Sequence, residues 1–84
     1  LMKAAEGGYL PALNILLQAG TDVNAENRLN QTGLSNAIQN NHPKAVKLLL
    51  DAKARIRDTD FILAVSKGQT KTVSYLLNAG ANPT

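Results

Sequence analysis

Leu13-Asn14-Ile15-Leu16-Leu17, Val46-Lys47-Leu48-Leu49-Leu50 and Val73-Ser74-Tyr75-Leu76-Leu77 spell one pattern, apolar-x-x-Leu-Leu, three times. The copies lie 33 and then 27 residues apart, and other positions keep the same register. Leu1, Leu34 and Phe61 correspond, as do Ala4, Ala37 and Ala64, then Ala19, Ala52 and Ala79. Gly8, Asn41 and Gly68 fall in phase, and so do Gly20, Lys53 and Gly80. Chance does not produce this many matches in register. A period of about 30 residues is the mark of a stacked repeat architecture.

Each copy reads as two short helices. The first is small and Ala-rich, running from Leu1 to about Gly7, Leu34 to about Asn40 and Phe61 to about Lys67. A Gly or Asn follows, the residues that reach left-handed backbone angles most cheaply and so end helices. The second helix covers roughly Leu10–Ala19, Pro43–Ala52 and Thr70–Ala79, with apolar residues at i, i+3 and i+4 on one face. Pro11 and Pro43 stand in its first turn, where a missing N–H costs nothing. The polar stretch Gly20 to Gly33 is too long for a simple connection. Asn27 to Asn30 supplies turn chemistry for a hairpin-like excursion, and Thr32 is placed to cap the next helix. The fold expected is all-α.

Composition bounds the rest. A chain of 84 residues makes one compact unit and buries about 60–65% of its unfolded surface. Phe61, Tyr9 and Tyr75 are the whole aromatic set, so the core must be aliphatic. No cysteine is present, which removes disulfides and thiolate metal sites and fits a reducing compartment. Apolar runs fall far short of the roughly 20 residues that span a bilayer, so no membrane segment is expected. The net charge of +3 is mild and comes without aromatic stacking platforms, which argues against nucleic acid as partner. Lys44, Lys47, Lys53, Arg55 and Arg57 form the densest basic stretch, broken by Asp51 and Asp58. It reads first as a solvated helix face and second as a phosphate or acidic-partner patch. A salt-sensitive nucleic-acid contact through Lys44, Lys47, Arg55 and Arg57 is the weakest alternative.

These residues resemble ankyrin repeats along the whole chain. The family pattern runs T-P-L-H-x-A-A, then G-H, then V-V-x-L-L-L, then G-A-D-V-N-A. Matching stretches are Ala4-Ala5 with Gly8, Ile15-Leu16-Leu17, Ala19-Gly20 and Asp22-Val23-Asn24-Ala25 in the first copy. The second gives Thr32-Gly33-Leu34, Ala37 and Asn41-His42, and the third gives Ala64-Val65, Gly68, Leu76-Leu77 and Ala79-Gly80-Ala81-Asn82. The resemblance implies a solenoid of helix-turn-helix units at about 1–26, 27–57 and 58–84, with a hairpin finger between the first two. Three departures stand out. Lys53 replaces a helix-ending Gly, at a cost of up to about 1 kcal/mol if its φ is positive. Gly33 replaces the Pro that opens the first helix, which should loosen that start. The third copy is six residues short between Lys53 and Phe61. That deficit reads as a finger cut to a tight loop or as an omitted loop.

Catalysis finds little support. His42 is the sole histidine, so no two-histidine metal site exists, and the resemblance gives it structural hydrogen bonds. Ser35, Ser66 and Ser74 lack His–acid partners, Asp58 and Asp60 read as helix-start carboxylates, and Gly7-Gly8 is a helix end. Neither a metal, a cofactor nor a small-molecule substrate is expected.

The resemblance implies instead a protein-binding module whose concave face is lined by fingers and by residues late in each first helix. Carried over, these are Glu6 with Gly7, Gln39 with Asn40 and Ser66 with Lys67, joined by Arg28, Leu29 and Gln31 of the finger. Leu29 is apolar at the tip of a polar turn; it reads either as a partner contact or as a residue folded back on the finger. Leu16 with Asp22-Val23-Asn24 is similar to the acceptor pattern for asparaginyl hydroxylation, and the alternative is that Asn24 bridges turn backbone. A structural spacer or targeting segment of a larger multidomain protein or bacterial effector is the second functional reading. The chain starts inside a first helix and stops where another copy would begin, so it is expected to be cut from a longer array. The expected location is the cytoplasm, or the host cytosol for a secreted effector.

Overall fold

The structure is a computed structural model and describes residues 1–80. Among the described residues six helices follow one another: α1 (Met2–Gly7), α2 (Leu10–Gln18), α3 (Gly33–Gln39), α4 (Pro43–Asp51), α5 (Asp58–Ser66) and α6 (Thr70–Asn78). No strand occurs among the described residues. Each odd-numbered helix pairs with the even-numbered one after it. The odd helices stack side by side as one layer, and the even helices stack as a second.

Both helix ends recur with the same hydrogen bonds. Gly8 N–H reaches Ala5 O and Tyr9 N–H reaches Ala4 O; the pairs Asn41 to Ile38 with His42 to Ala37, and Gly68 to Val65 with Gln69 to Ala64, repeat this. Gly8, Asn41 and Gly68 take φ of 68, 59 and 68°. Only backbone in this region lets two consecutive N–H groups turn back on the last carbonyls. Gly8 has a second reason to be glycine. A Cβ there would sit 2.6 Å from Nδ1 of His42, whose ring lies over it from the next repeat. At the end of α4, Lys53 takes φ 70°, where Gly20 and Gly80 take 85 and 100°. The lysine therefore accepts the strained angle that the glycines take freely.

The core lies between the two layers. Leu13, Leu34, Ile38, Val46, Leu49 and Leu76 are fully buried, with Ala5, Ala37, Ala45 and Ala64 letting helices approach closely. Leu1, Phe61 and Val73 pack against its margin. The start of α3 is firmer than expected from Gly33. Thr32 Oγ1 accepts from Ser35 N–H at 3.2 Å, and Ser35 Oγ accepts from Thr32 N–H at 2.8 Å, a reciprocal capping box. Two free donors at the helix end are thus satisfied without proline.

The third repeat differs at its entrance. Residues 53–57 form a short connection with no finger, and α5 begins three residues before Phe61 where α3 begins one before Leu34. The resemblance at Ala81 and Asn82, and the start of a further copy, lie outside the described residues.

Candidate functional site

The finger is a compact turn held by one asparagine. Asn27 Oδ1 accepts from the N–H groups of Leu29 (2.9 Å) and Gln31 (3.0 Å), and Asn27 Nδ2 donates to Gln31 Oε1 (2.8 Å). Asn27 N–H also reaches Gln31 O, and Asn30 turns the chain at φ 60°. An Asn side chain mimics a backbone turn in this way, and Asn tolerates the left-handed angle. The consequence is at the tip. Leu29 is 75% exposed and does not fold back onto the finger.

Beside the tip lies a shallow pocket of about 300 Å³, walled by the finger, α3 and α5. Leu29, Gln31 and Gln39 line it, together with Arg57, Thr59 and Leu63. Three residues expected from the sequence are thereby brought together. Arg28, Glu6, Asn40, Ser66 and Lys67 are exposed but do not line the pocket. Gln31 is half-buried, and its side-chain oxygen accepts from Asn27. Asn40 is similarly engaged, its Nδ2 donating to Asn36 O at 3.1 Å.

Arg57 organises this side of the molecule. Its Nη1 donates to Asn30 O at 2.7 Å and stands 3.5 Å from Glu26 Oε1. Its Nε stands 3.6 Å from Asp60 Oδ2, and the same oxygen accepts from Arg57 N–H at 3.0 Å. Asp60 is 1% exposed. A guanidinium has no acceptor, so only the carboxylate half of a capping box forms at the start of α5. Ionised partners strengthen such bonds, and a half-buried site weakens screening by solvent. The result is a bracket that ties the finger of one repeat to the first helix of the next.

A second tie runs across the finger base. Arg55 N–H donates to Asn24 Oδ1 at 2.7 Å, while Asn24 N–H donates to Asp22 Oδ1 at 2.9 Å. Asn24 thus bridges backbone from its own turn to the shortened loop. Of the basic residues 44, 47, 55 and 57, Arg57 is engaged on the finger side by Asn30 and Glu26. His42 also departs from expectation. Its backbone carries the helix-end bonds, but its side chain makes no capping hydrogen bond and serves to cover Gly8.

Sequence reasoning placed Asp60 at a helix start but missed its pairing with Arg57 and the bracket the two form. The available signal was an Arg-x-x-Asp spacing placed directly before a helix, opposite a missing finger. Among the described residues no cluster of three His, Cys, Asp or Glu could hold a metal, and no helix is long and apolar enough to cross a membrane.

Comparison with known proteins agrees with this architecture. The family model for ankyrin repeats (three copies) matches residues 1–84. The chain is 36% identical over 91 aligned residues to the ankyrin repeat and KH domain-containing protein mask-1 of Caenorhabditis elegans, covering 99% of the chain and 4% of that protein. It is 34% identical to the BRCA1-associated RING domain protein 1 of the same organism, over 98% of the chain and 12% of that protein. It is 38% identical to the nuclear factor NF-kappa-B p105 subunit of Gallus gallus, over 88% of the chain and 8% of that protein. The chain therefore spans a small part of the relatives it matches. With its three repeats in register and its paired helix layers, the chain belongs to the ankyrin-repeat family, whose repeats generally serve as protein–protein interaction modules.

Proposed function

We propose that this chain is a non-catalytic interaction module that holds a partner protein on its concave side, at the finger and the pocket beside it. The observation that carries the reading is Leu29. A large apolar side chain is kept in solvent by a turn whose hydrogen bonds fix the backbone beneath it. It stands at a pocket walled by the finger's own repeat and the next. An apolar residue held out on an ordered turn loses little conformational freedom on binding, which favours it as an anchor. Arg28 and the exposed residues Glu6, Gln39, Asn40, Ser66 and Lys67 would supply the polar surround, with Thr59 and Leu63 forming the floor. Protein is the partner class, and neither a cofactor nor a small-molecule substrate is part of the reading.

The test places a photo-reactive amino acid at position 29 and identifies the protein that cross-links. Binding isotherms with that protein should then show Leu29→Ala weakened about tenfold or more, as expected of an interface anchor. Arg28→Ala should lose less, and the melting temperature should be unchanged in both. Equal affinity of Leu29→Ala and the parent chain rejects the concave site. The absence of any specific cross-linked protein favours the other role, a spacer that positions further domains of a longer chain. Two of the relatives carry a KH or a RING domain in their names.

A further inference from the structure

The outer layer holds a second surface that the concave site does not use. Between α4 and α6 runs an open groove of about 650 Å³. Leu50, Ala54 and Tyr75 are its half-buried floor, and Lys47, Asp51 and Lys53 are exposed along it. Lys44 lies one turn before Lys47 on α4, and Lys71 one turn before Tyr75 on α6, so both extend the same rows. Four lysines here face Asp51 alone. The five cations and five anions elsewhere in the chain balance, so these five residues carry a net charge equal to the formal +3 of the whole chain. None of these lysines is in an ion pair among the described residues.

Lys53 adds an independent observation. It holds φ 70° at the position where the first and third repeats have glycine, and it lines the groove. Backbone strain of this kind persists where the strained residue serves something other than packing. Glycine would end α4 with less strain, but it would remove the cation.

We infer that the groove between α4 and α6 is a docking site for an extended acidic protein segment that carries an apolar side chain. Carboxylates of that segment meet Lys44, Lys47, Lys53 and Lys71, and the apolar side chain lies on Leu50 and Tyr75. Nucleic acid fits less well. One tyrosine is no stacking platform, the groove has no arginine fork for phosphate, and Asp51 interrupts the cations. The surface is on the opposite layer from the finger and stands or falls separately from the concave site.

The probe is a short fluorescein-labelled Glu-rich peptide with a central leucine, followed by anisotropy at low and at physiological salt. Controls are the same peptide with serine for leucine and a single-stranded oligonucleotide of equal charge. The leucine peptide should bind tightest, more weakly at the higher salt. Lys53→Gly should weaken it about fivefold, the effect of one solvent-exposed pair, while raising the melting temperature. Lys47→Glu should weaken it by about tenfold or more, since reversal adds repulsion. Arg28→Ala should leave it unchanged. An oligonucleotide that binds at least as tightly, peptides that bind equally, or Lys53→Gly binding like the parent chain would each overturn the inference.

Discussion

At the first junction of the array α3 lies against α1 through small and aliphatic groups, whereas at the second α5 meets α3 with the help of polar ties. Gly33 is buried, and a Cβ on it would meet Ala5, Leu1 and Leu49 at 3.6–3.7 Å. Its counterpart in the third repeat is Asp60, equally buried, which holds Arg57 and through it the finger. Gln69 adds a bond from its Nε2 to Ile38 O at 2.7 Å, at the position where the second repeat uses His42 as a cover over Gly8. One repeat position thus carries close packing in one copy and a charged bracket in the next. The lesson concerns the lost finger. Without it the entrance to α5 is open, the helix grows toward that space, and an ion pair secures what a finger would otherwise cover.

Substitutions at the two junctions should separate these chemistries. The largest effect is expected at the apolar one. Leu49→Ala removes a fully buried side chain and should cost about 3 kcal/mol. That loss lowers the melting point by roughly 12 °C or more. Asp60→Ala should follow at about 2 kcal/mol, because it strips a buried acceptor and leaves the guanidinium with weaker partners. Asp60→Asn keeps an acceptor and should lose about half as much, read by urea denaturation. If Asp60→Ala proved costlier than Leu49→Ala, the polar bracket would dominate and the comparison would reverse. The smallest effect is a gain. Gly33→Ala places a methyl at ordinary contact distance and restricts the unfolded chain, so it should stabilise by about 0.5–1 kcal/mol. Destabilisation there would mean that the first junction is tighter than its distances indicate.

Much of this was readable in advance because repeat phase is a redundant signal. The pattern of Leu16-Leu17, Leu49-Leu50 and Leu76-Leu77 marks the outer helices, and Gly8, Asn41 and Gly68 mark the turns whose backbone does take positive φ. Lys53 was also legible, since its neighbours in phase are glycines. The finger tip could be placed from its asparagines, and with it Leu29. Arg57 could not, since in the sequence it is the last of several cations interrupted by aspartates. Its role depends on a contact with Asn30, 27 residues away. His42 misled for the opposite reason. The family pattern supplied hydrogen bonds, while here the ring is used for its shape against a glycine.

The central claim is that Arg57 anchors the finger, built on Asn27, to the third repeat and thereby presents Leu29. Heteronuclear NOE and relaxation measurements on the 15N-labelled chain, compared with Arg57→Ala, test it most directly. The account predicts fast motion gained by the finger amides of residues 26–31, with the helices α3, α4 and α6 unchanged. A finger that stays as rigid in Arg57→Ala as in the parent chain would contradict it.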